Sequence, residues 1–121
     1  MNSKTRQTIL LVGNDAALNY LLGRFIEQNE CALAVVPVIT SAQEVTEINP
    51  KAIIFLSTEH LEVAQTLMME LTSIKMPIIV CSAVADEARA RELGADHCLL
   101  HPITYDSFQN ALEVAGAPKR T

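Results

Sequence analysis

Ser57 or Ser82, His101 and Asp15 are the residue types of a nucleophile, a base and an orienting acid. Together they are what hydrolytic acyl transfer uses: a hydroxyl activated by an imidazole that a carboxylate holds in place. The chain has no G-x-S-x-G turn and no evident oxyanion loop, so the hydrolase reading rests on residue type alone. His97, Cys98 and His101 are zinc-ligand types lying within one short stretch. On a strand, however, His97 and His101 point to one face and Cys98 to the other, so these residues do not make a metal site locally. The three cysteines, Cys31, Cys81 and Cys98, are odd in number and widely spaced, which fits reduced, buried thiols. Met68 and Met69 read as core and surface filler. Without G-x-G-x-x-G or a Walker loop no nucleotide is indicated, and the expectation is that the chain carries no metal or cofactor.

The elements that must position these groups alternate strand and helix. At 121 residues the chain is long enough for one domain with a core of its own, and half of its residues are hydrophobic. Ile9 to Val12 is a continuous apolar run, as in a strand covered on both faces. Asp15 caps a helix whose Leu18, Leu21, Leu22, Phe25 and Ile26 form one apolar stripe. Ala32 to Ile39 reads as the second strand, and Pro37 inside it argues for the sheet edge, because proline cannot donate to a central ladder. Ser41 with Glu44 is a capping-box pattern for a short helix ended by Asn49-Pro50.

Ala52 to Leu56 is a third strand. Leu61, Ala64, Leu67, Met68 and Leu71 predict one third helix, and Pro77 to Cys81 a fourth strand. Asp86 to Leu93 predicts a charged fourth helix stopped by Gly94, and His97 to Leu100 a fifth strand. Thr104 caps a last helix that buries Phe108, Ala111 and Leu112. Five such units imply an α/β fold with a parallel sheet and helices on both faces. Right-handed crossovers and an edge second strand favour strand order 2-1-3-4-5. Residues 1–7 are expected to be a disordered N-terminus, 8–116 the domain, and 117–121 a tail or linker.

Net charge of −5 argues against a surface for DNA or RNA. The N-terminal residues lack the apolar run of a signal peptide and no segment is long enough to span a bilayer, so no membrane is expected and the cytoplasm is the default location.

Three segments in this order resemble the signatures of response-regulator receiver domains, the CheY-like modules of two-component signalling with a flavodoxin-like sheet. They are Thr8 to Glu27, opening T-I-L-L-V-G-N-D; Pro77-Ile-Ile-Val-Cys-Ser-Ala83; and Gly94-Ala-Asp-His-Cys-Leu-Leu-His-Pro102. In a working receiver, carboxylates after the first strand and an aspartate ending the third bind Mg²⁺, and that aspartate attacks a phosphoryl group. A Ser or Thr after the fourth strand and a Lys after the fifth contact the phosphoryl oxygens. Carried over by position, the resemblance sets Gly13 and Asn14 at the metal positions and His101 at the lysine. Leu56 falls at the phospho-acceptor, or Ser57 with a one-residue slip. Ser82 matches the family, and Cys98 stands where the switch aromatic does. The resemblance also implies a cis bond at His101-Pro102.

The resemblance therefore implies a pseudo-receiver: an atypical receiver in phosphorelay signalling, without Mg²⁺-dependent aspartyl phosphorylation and without enzyme activity, that works by protein contact. Its expected interaction face includes Arg89, Arg91, Glu92, His97 and Tyr105. The expected partner is a signalling component, an output domain or a second copy of the chain. The alternatives are a small-molecule sensor whose pocket is made less polar by Leu56 and Gly13, and the hydrolase built on Ser, His and Asp.

Overall fold

The apolar runs of this chain are too short to be buried helices and too continuous to face water. In the computed structural model, which describes residues 6–116, they form the sheet. The strands are β1 (Thr8–Val12), β2 (Ala32–Val36), β3 (Ala52–Phe55), β4 (Ile78–Ser82) and β5 (His97–Leu100). All pairs are parallel and the order is β2-β1-β3-β4-β5. Residues 1–5 of the expected N-terminal segment and the tail 117–121 lie outside the described residues.

Side-chain alternation along each strand divides the core into two layers. One layer joins Ile9, Leu11, Ile54, Leu56, Ile79, Cys81 and Leu99 to α1 (Ala16–Gln28) and to the C-terminal helix Tyr105–Gly116. The other joins Leu10, Ile53, Phe55, Val80 and Cys98 to the remaining helices. These are α2 (Ala42–Ile48), α3 (Thr58–Val63), α4 (Gln65–Ser73) and α5 (Glu87–Glu92), so the C-terminal helix is α6. Among the described residues no helix is long and apolar enough to cross a membrane.

Local chemistry sets the ends of these elements. Asp15 Oδ1 accepts from Leu18 N at 3.0 Å, and Ser41 Oγ accepts from Glu44 N at 3.1 Å. Thr104 and Ser107 cap α6 reciprocally, each hydroxyl accepting from the other's backbone N–H at 3.1 Å. Asn49 stops α2 in the left-handed conformation, and Gly94 (φ +112°) follows α5.

Three expectations are corrected. β2 is the edge strand, but it ends at Val36, so Pro37 lies beyond it; the edge placement holds while the proline argument for it does not. The predicted third helix is two helices. Ala64 (φ −89°, ψ 8°) breaks it, and the Gln65 side-chain amide spans the break, donating to Leu61 O at 3.1 Å and Leu93 O at 2.9 Å. The fourth helix starts as a 3₁₀ turn over Val84–Asp86 and becomes α-helical only at Glu87.

Candidate functional site

Gly13, Asn14, Leu56, Ser57, Ser82 and His101 lie where the strands end, because each loop that follows a strand leaves from the same edge of a parallel sheet. Gly13 and Asn14 follow β1, Leu56 and Ser57 follow β3, Ser82 ends β4 and His101 follows β5. The ladder fixes their mutual positions. Val12 pairs with Phe55, and Leu56 N donates to Val12 O at 3.0 Å, which sets Leu56 beside Gly13. Gly13 N donates to Val36 O at 2.9 Å on the other flank, and His101 N donates to Ser82 O at 3.1 Å.

At the β1 and β3 end the site is closed by packing. Leu56 is 3 % exposed and belongs to the core layer under α1 and α6. A Cβ built at Gly13 would sit 2.8 Å from Cβ, Cγ and Cδ1 of Leu56, and the backbone there has φ +149°. The bare glycine and the leucine are thus complementary: the space a side chain at 13 would take is filled by the side chain at 56. Mg²⁺ needs several oxygen ligands in near-octahedral array. Gly13 and Leu56 supply none, Asn14 supplies one neutral carbonyl, and the Asp15 carboxylate is engaged in capping α1. The donor set at the metal positions does not fit the ion. Among the described residues no group of three or more His, Cys, Asp or Glu side chains is placed to hold a metal.

At the β4 and β5 end the edge is open. A cavity of 220 Å³ is lined by Leu56, Ser57, Thr58, Glu59, Cys81, Ser82, Ala83, Asp86 and His101. Ser82 is 4 % exposed, and its Oγ and that of Thr58 are buried without a hydrogen-bond partner. The Cys98 thiol neighbours Ser82 and feels its hydroxyl, and a thiol is a weak hydrogen-bond partner. Burial pushes the Cys98 thiol up from its ordinary value, with Arg91 and Ser82 pulling against it and Glu87 adding to it. Burial likewise pushes Cys81 up to about 12, helped by the nearby Asp15 charge. Both thiols are held protonated at neutral pH, the opposite of an activated nucleophile.

Ser57, Ser82 and His101 of the hydrolase reading line the one cavity, but no hydrogen bond joins either serine to His101 or His101 to Asp15 among the described residues. Ser57 Oγ lies 2.7 Å from His60 Nδ1 and accepts from His60 N at 3.2 Å, so its partner is local and its task is capping α3. Ser82 Oγ has the Cys98 thiol as its neighbour, and Asp15 caps α1. His60 was absent from the candidate residues. Its signal was Ser57-x-x-His60, the spacing of a capping box with imidazole in the glutamate position. Thr58 and Asp86 also face the cavity unannounced, since neither belongs to a motif.

On the expected interaction face, Arg89, Arg91 and Glu92 share α5, and His97 lies beside it on β5. Arg89 pairs with Glu62 at 2.5 Å and Glu92 at 3.8 Å, and Arg91 pairs with Glu87 at 3.4 Å, all exposed. Burial and Arg91 hold His97 below its ordinary value, while Glu87 opposes them. Tyr105 stands apart. Its ring meets Phe25 edge-on at 5.3 Å and its hydroxyl accepts from Asn29 Nδ2 at 3.2 Å, which ties it to α1 on the other layer. The His101-Pro102 peptide is cis.

The chain matches no protein-family profile and no curated protein. Its fold matches solved receiver domains throughout. The N-terminal signal receiver domain of a two-component response regulator from Bacteroides fragilis superposes with TM-score 0.73 at 16 % identity, covering 95 % of this chain and 100 % of that one. A response regulator receiver domain from Clostridium thermocellum gives 0.72 at 15 %, covering 91 % and 94 %. The non-phosphorylated HemR receiver domain from Leptospira biflexa gives 0.65 at 21 %, covering 96 % and 98 %. The chain is similar to these in its five-stranded parallel sheet of order 2-1-3-4-5 and its flanking helices.

Proposed function

We propose that this domain is a receiver-fold signalling module that acts by protein contact in a two-component pathway, without Mg²⁺-dependent aspartyl phosphorylation. The observation that carries this reading is Leu56 packed onto Gly13. A leucine has no lone pair to attack phosphorus and no oxygen for a metal, and its partner position has no side chain. Phosphoryl transfer by this fold depends on both. Ser57, one residue on, is engaged with His60 and is not a carboxylate in either register.

Contact is the activity that remains to such a scaffold. The β5 and α5 surface, with Arg89, Arg91, Glu92 and His97, is its candidate interface, with the partly exposed Tyr105 at the start of α6 on its margin, tied to Asn29. The partner class is a signalling component, an output domain or a second copy of the chain, in the cytoplasm. A dedicated small-molecule sensor is less well supported, because the cavity at the strand ends falls below the roughly 300–1,000 Å³ of drug-sized ligand sites.

The test is intact-mass spectrometry after incubation with acetyl phosphate and Mg²⁺, with amide NMR in beryllofluoride and Mg²⁺. The expected result is no added phosphoryl mass and no shifts around Leu56 and Ser82. A stoichiometric acid-labile phosphate overturns the proposal.

A further inference from the structure

We propose that the free edge of β2 pairs with the β2 edge of a second copy of this chain, antiparallel about a two-fold axis through Ala34, joining two sheets into one. The first ground is the backbone groups that the fold leaves over. In a parallel ladder the N–H and C=O of one residue turn to the same neighbour, and those of the next residue turn away. Ala32 N donates to Gln7 O at 2.7 Å and Val36 O accepts from Gly13 N at 2.9 Å, so Ala32, Ala34 and Val36 face β1. Leu33 and Val35 therefore turn their N–H and C=O outward, at the end of the sheet. An unpaired edge of this kind is a template for a further strand.

The same groups choose the register. Centred on Ala34, Leu33 lies opposite Val35 of the second copy and Val35 opposite its Leu33. Each pair exchanges both backbone bonds, so every outward donor and acceptor of Leu33 and Val35 is satisfied. Centred on Val35, Leu33 would face Pro37, which has no N–H to give. Centred on Leu33, Val35 would face Cys31, whose N–H already donates to Ile26 O at 3.1 Å. The favoured register also sets alanine against alanine at the axis, where a non-hydrogen-bonded pair brings the two chains closest.

The second ground is the side chains. Leu33 sits beside Ile9 and Val35 beside Leu11 in the ladder, so both point to the α1 layer, and each is 43 % exposed. In this register Leu33 of each copy packs on Val35 of the other, and the symmetry makes the contact twice. Tyr20, 67 % exposed on α1, lies one turn before Gly23, which Leu33 approaches, and widens the apolar face. Charge favours a second copy as occupant. The chain carries a net charge of −5, yet Cys31 to Ile39 has no charged residue, so the strand meets itself without opposing like charges.

β2 and β5 are opposite ends of the sheet, so this pairing is separate from the β5 and α5 surface and leaves that surface free in each copy. A single short strand pair is smaller than a standard protein interface, so the association is weak and is read at high concentration.

The experiment is sedimentation velocity of the full chain from about 20 µM to about 1 mM, with amide hydrogen exchange at both ends of that range. The expected result is a sedimentation coefficient that rises from monomer towards dimer, with the largest slowing of exchange at Leu33 and Val35. Val35→Pro removes an outward donor and no bond to β1. Val35→Lys puts a charge against Leu33 of the second copy at an exposed position, and keeps the test open if the proline variant does not fold. Each should weaken association roughly tenfold or more. Arg89→Glu with Arg91→Glu, on the β5 and α5 surface, should leave it unchanged. A chain that stays monomeric at about 1 mM overturns the proposal and leaves the edge to an extended segment of another protein. Association that survives the folded Val35 variants, or that is lost with the arginine pair instead, overturns it too. No phosphoryl donor is present, so the outcome is independent of the phosphorylation test.

Discussion

The carboxyl edge of this sheet has two halves built on different terms. Where β1 and β3 end, Gly13 and Leu56 interlock, and Leu56 is part of the hydrophobic core. Where β4 and β5 end, the edge stays polar and open, with buried hydroxyls at Ser82 and Thr58 and exposed acids at Glu59 and Asp86. In the first half the side chains fill each other's space; in the second, two serines, a threonine and two acids line an open cavity whose lining has no lysine or arginine. The two halves can therefore be perturbed separately.

The closed half should give the largest effects. Gly13→Ala puts a methyl 2.8 Å from three atoms of Leu56 at a positive φ, and should cost about 3 kcal/mol. Leu56→Ala should cost about 2–5 kcal/mol, as for other buried leucines. Leu56→Ala removes Cγ and Cδ1 but keeps Cβ, so two of the three contacts are relieved and the double variant should be more stable than the sum predicts, by about 1 kcal/mol. Urea unfolding of the four proteins measures this. Strict additivity breaks the comparison, because it would mean that the cost at 13 comes from backbone conformation and from Cβ of residue 56 and not from the branched end of the leucine.

Cys81 sharpens the contrast from the other side, since it lines the open cavity yet behaves as core. Its folded-state value near 12 lies above the ordinary 9.0, so below pH 9 it contributes no pH dependence. Above pH 9 the unfolded chain loses the proton while the folded chain keeps it. Stability then falls with rising pH by up to about 1.4 kcal/mol per unit until the folded thiol ionises. Cys98, also pushed up, adds to the same slope. Urea midpoints taken across pH 9 to 12 should show the decline, and Cys81→Ala should flatten it whatever constant offset the lost sulfur brings. An unchanged slope would mean that water reaches the thiol and that the cavity runs deeper than its polar rim.

Much of the scaffold was legible because it is written in local signals. Continuous apolar runs gave the five strands; Asp15, Ser41 and Thr104 gave the caps, and each of these caps is made. The break at Ala64 was not legible, because the contact that accompanies it, Gln65 to Leu93, joins residues far apart in the chain. Pro37 misled for a related reason: a proline inside an apolar run and one just past the strand's end look alike until the ladder is seen. At the site, Gly13 and Leu56 were legible one by one as departures from a pattern. That they fill each other's space was not, since it follows from strand register and from no spacing in the sequence. The partnering of Tyr105 with Asn29 and of Ser57 with His60 belongs to the same class of fact.

The smallest expected effect is the most discriminating for the open half. Removing a buried hydroxyl that is well bonded ordinarily costs about 1 kcal/mol. Ser82 Oγ has only the weak thiol of Cys98 beside it, so Ser82→Ala should leave the urea unfolding free energy unchanged or raise it slightly, by no more than about 1 kcal/mol, since alanine removes a poorly satisfied polar atom and little volume. If Ser82→Ala destabilises the domain by more than about 1 kcal/mol, the hydroxyl is already engaged, through Cys98 or through trapped water, and the open half is as internally satisfied as the closed one.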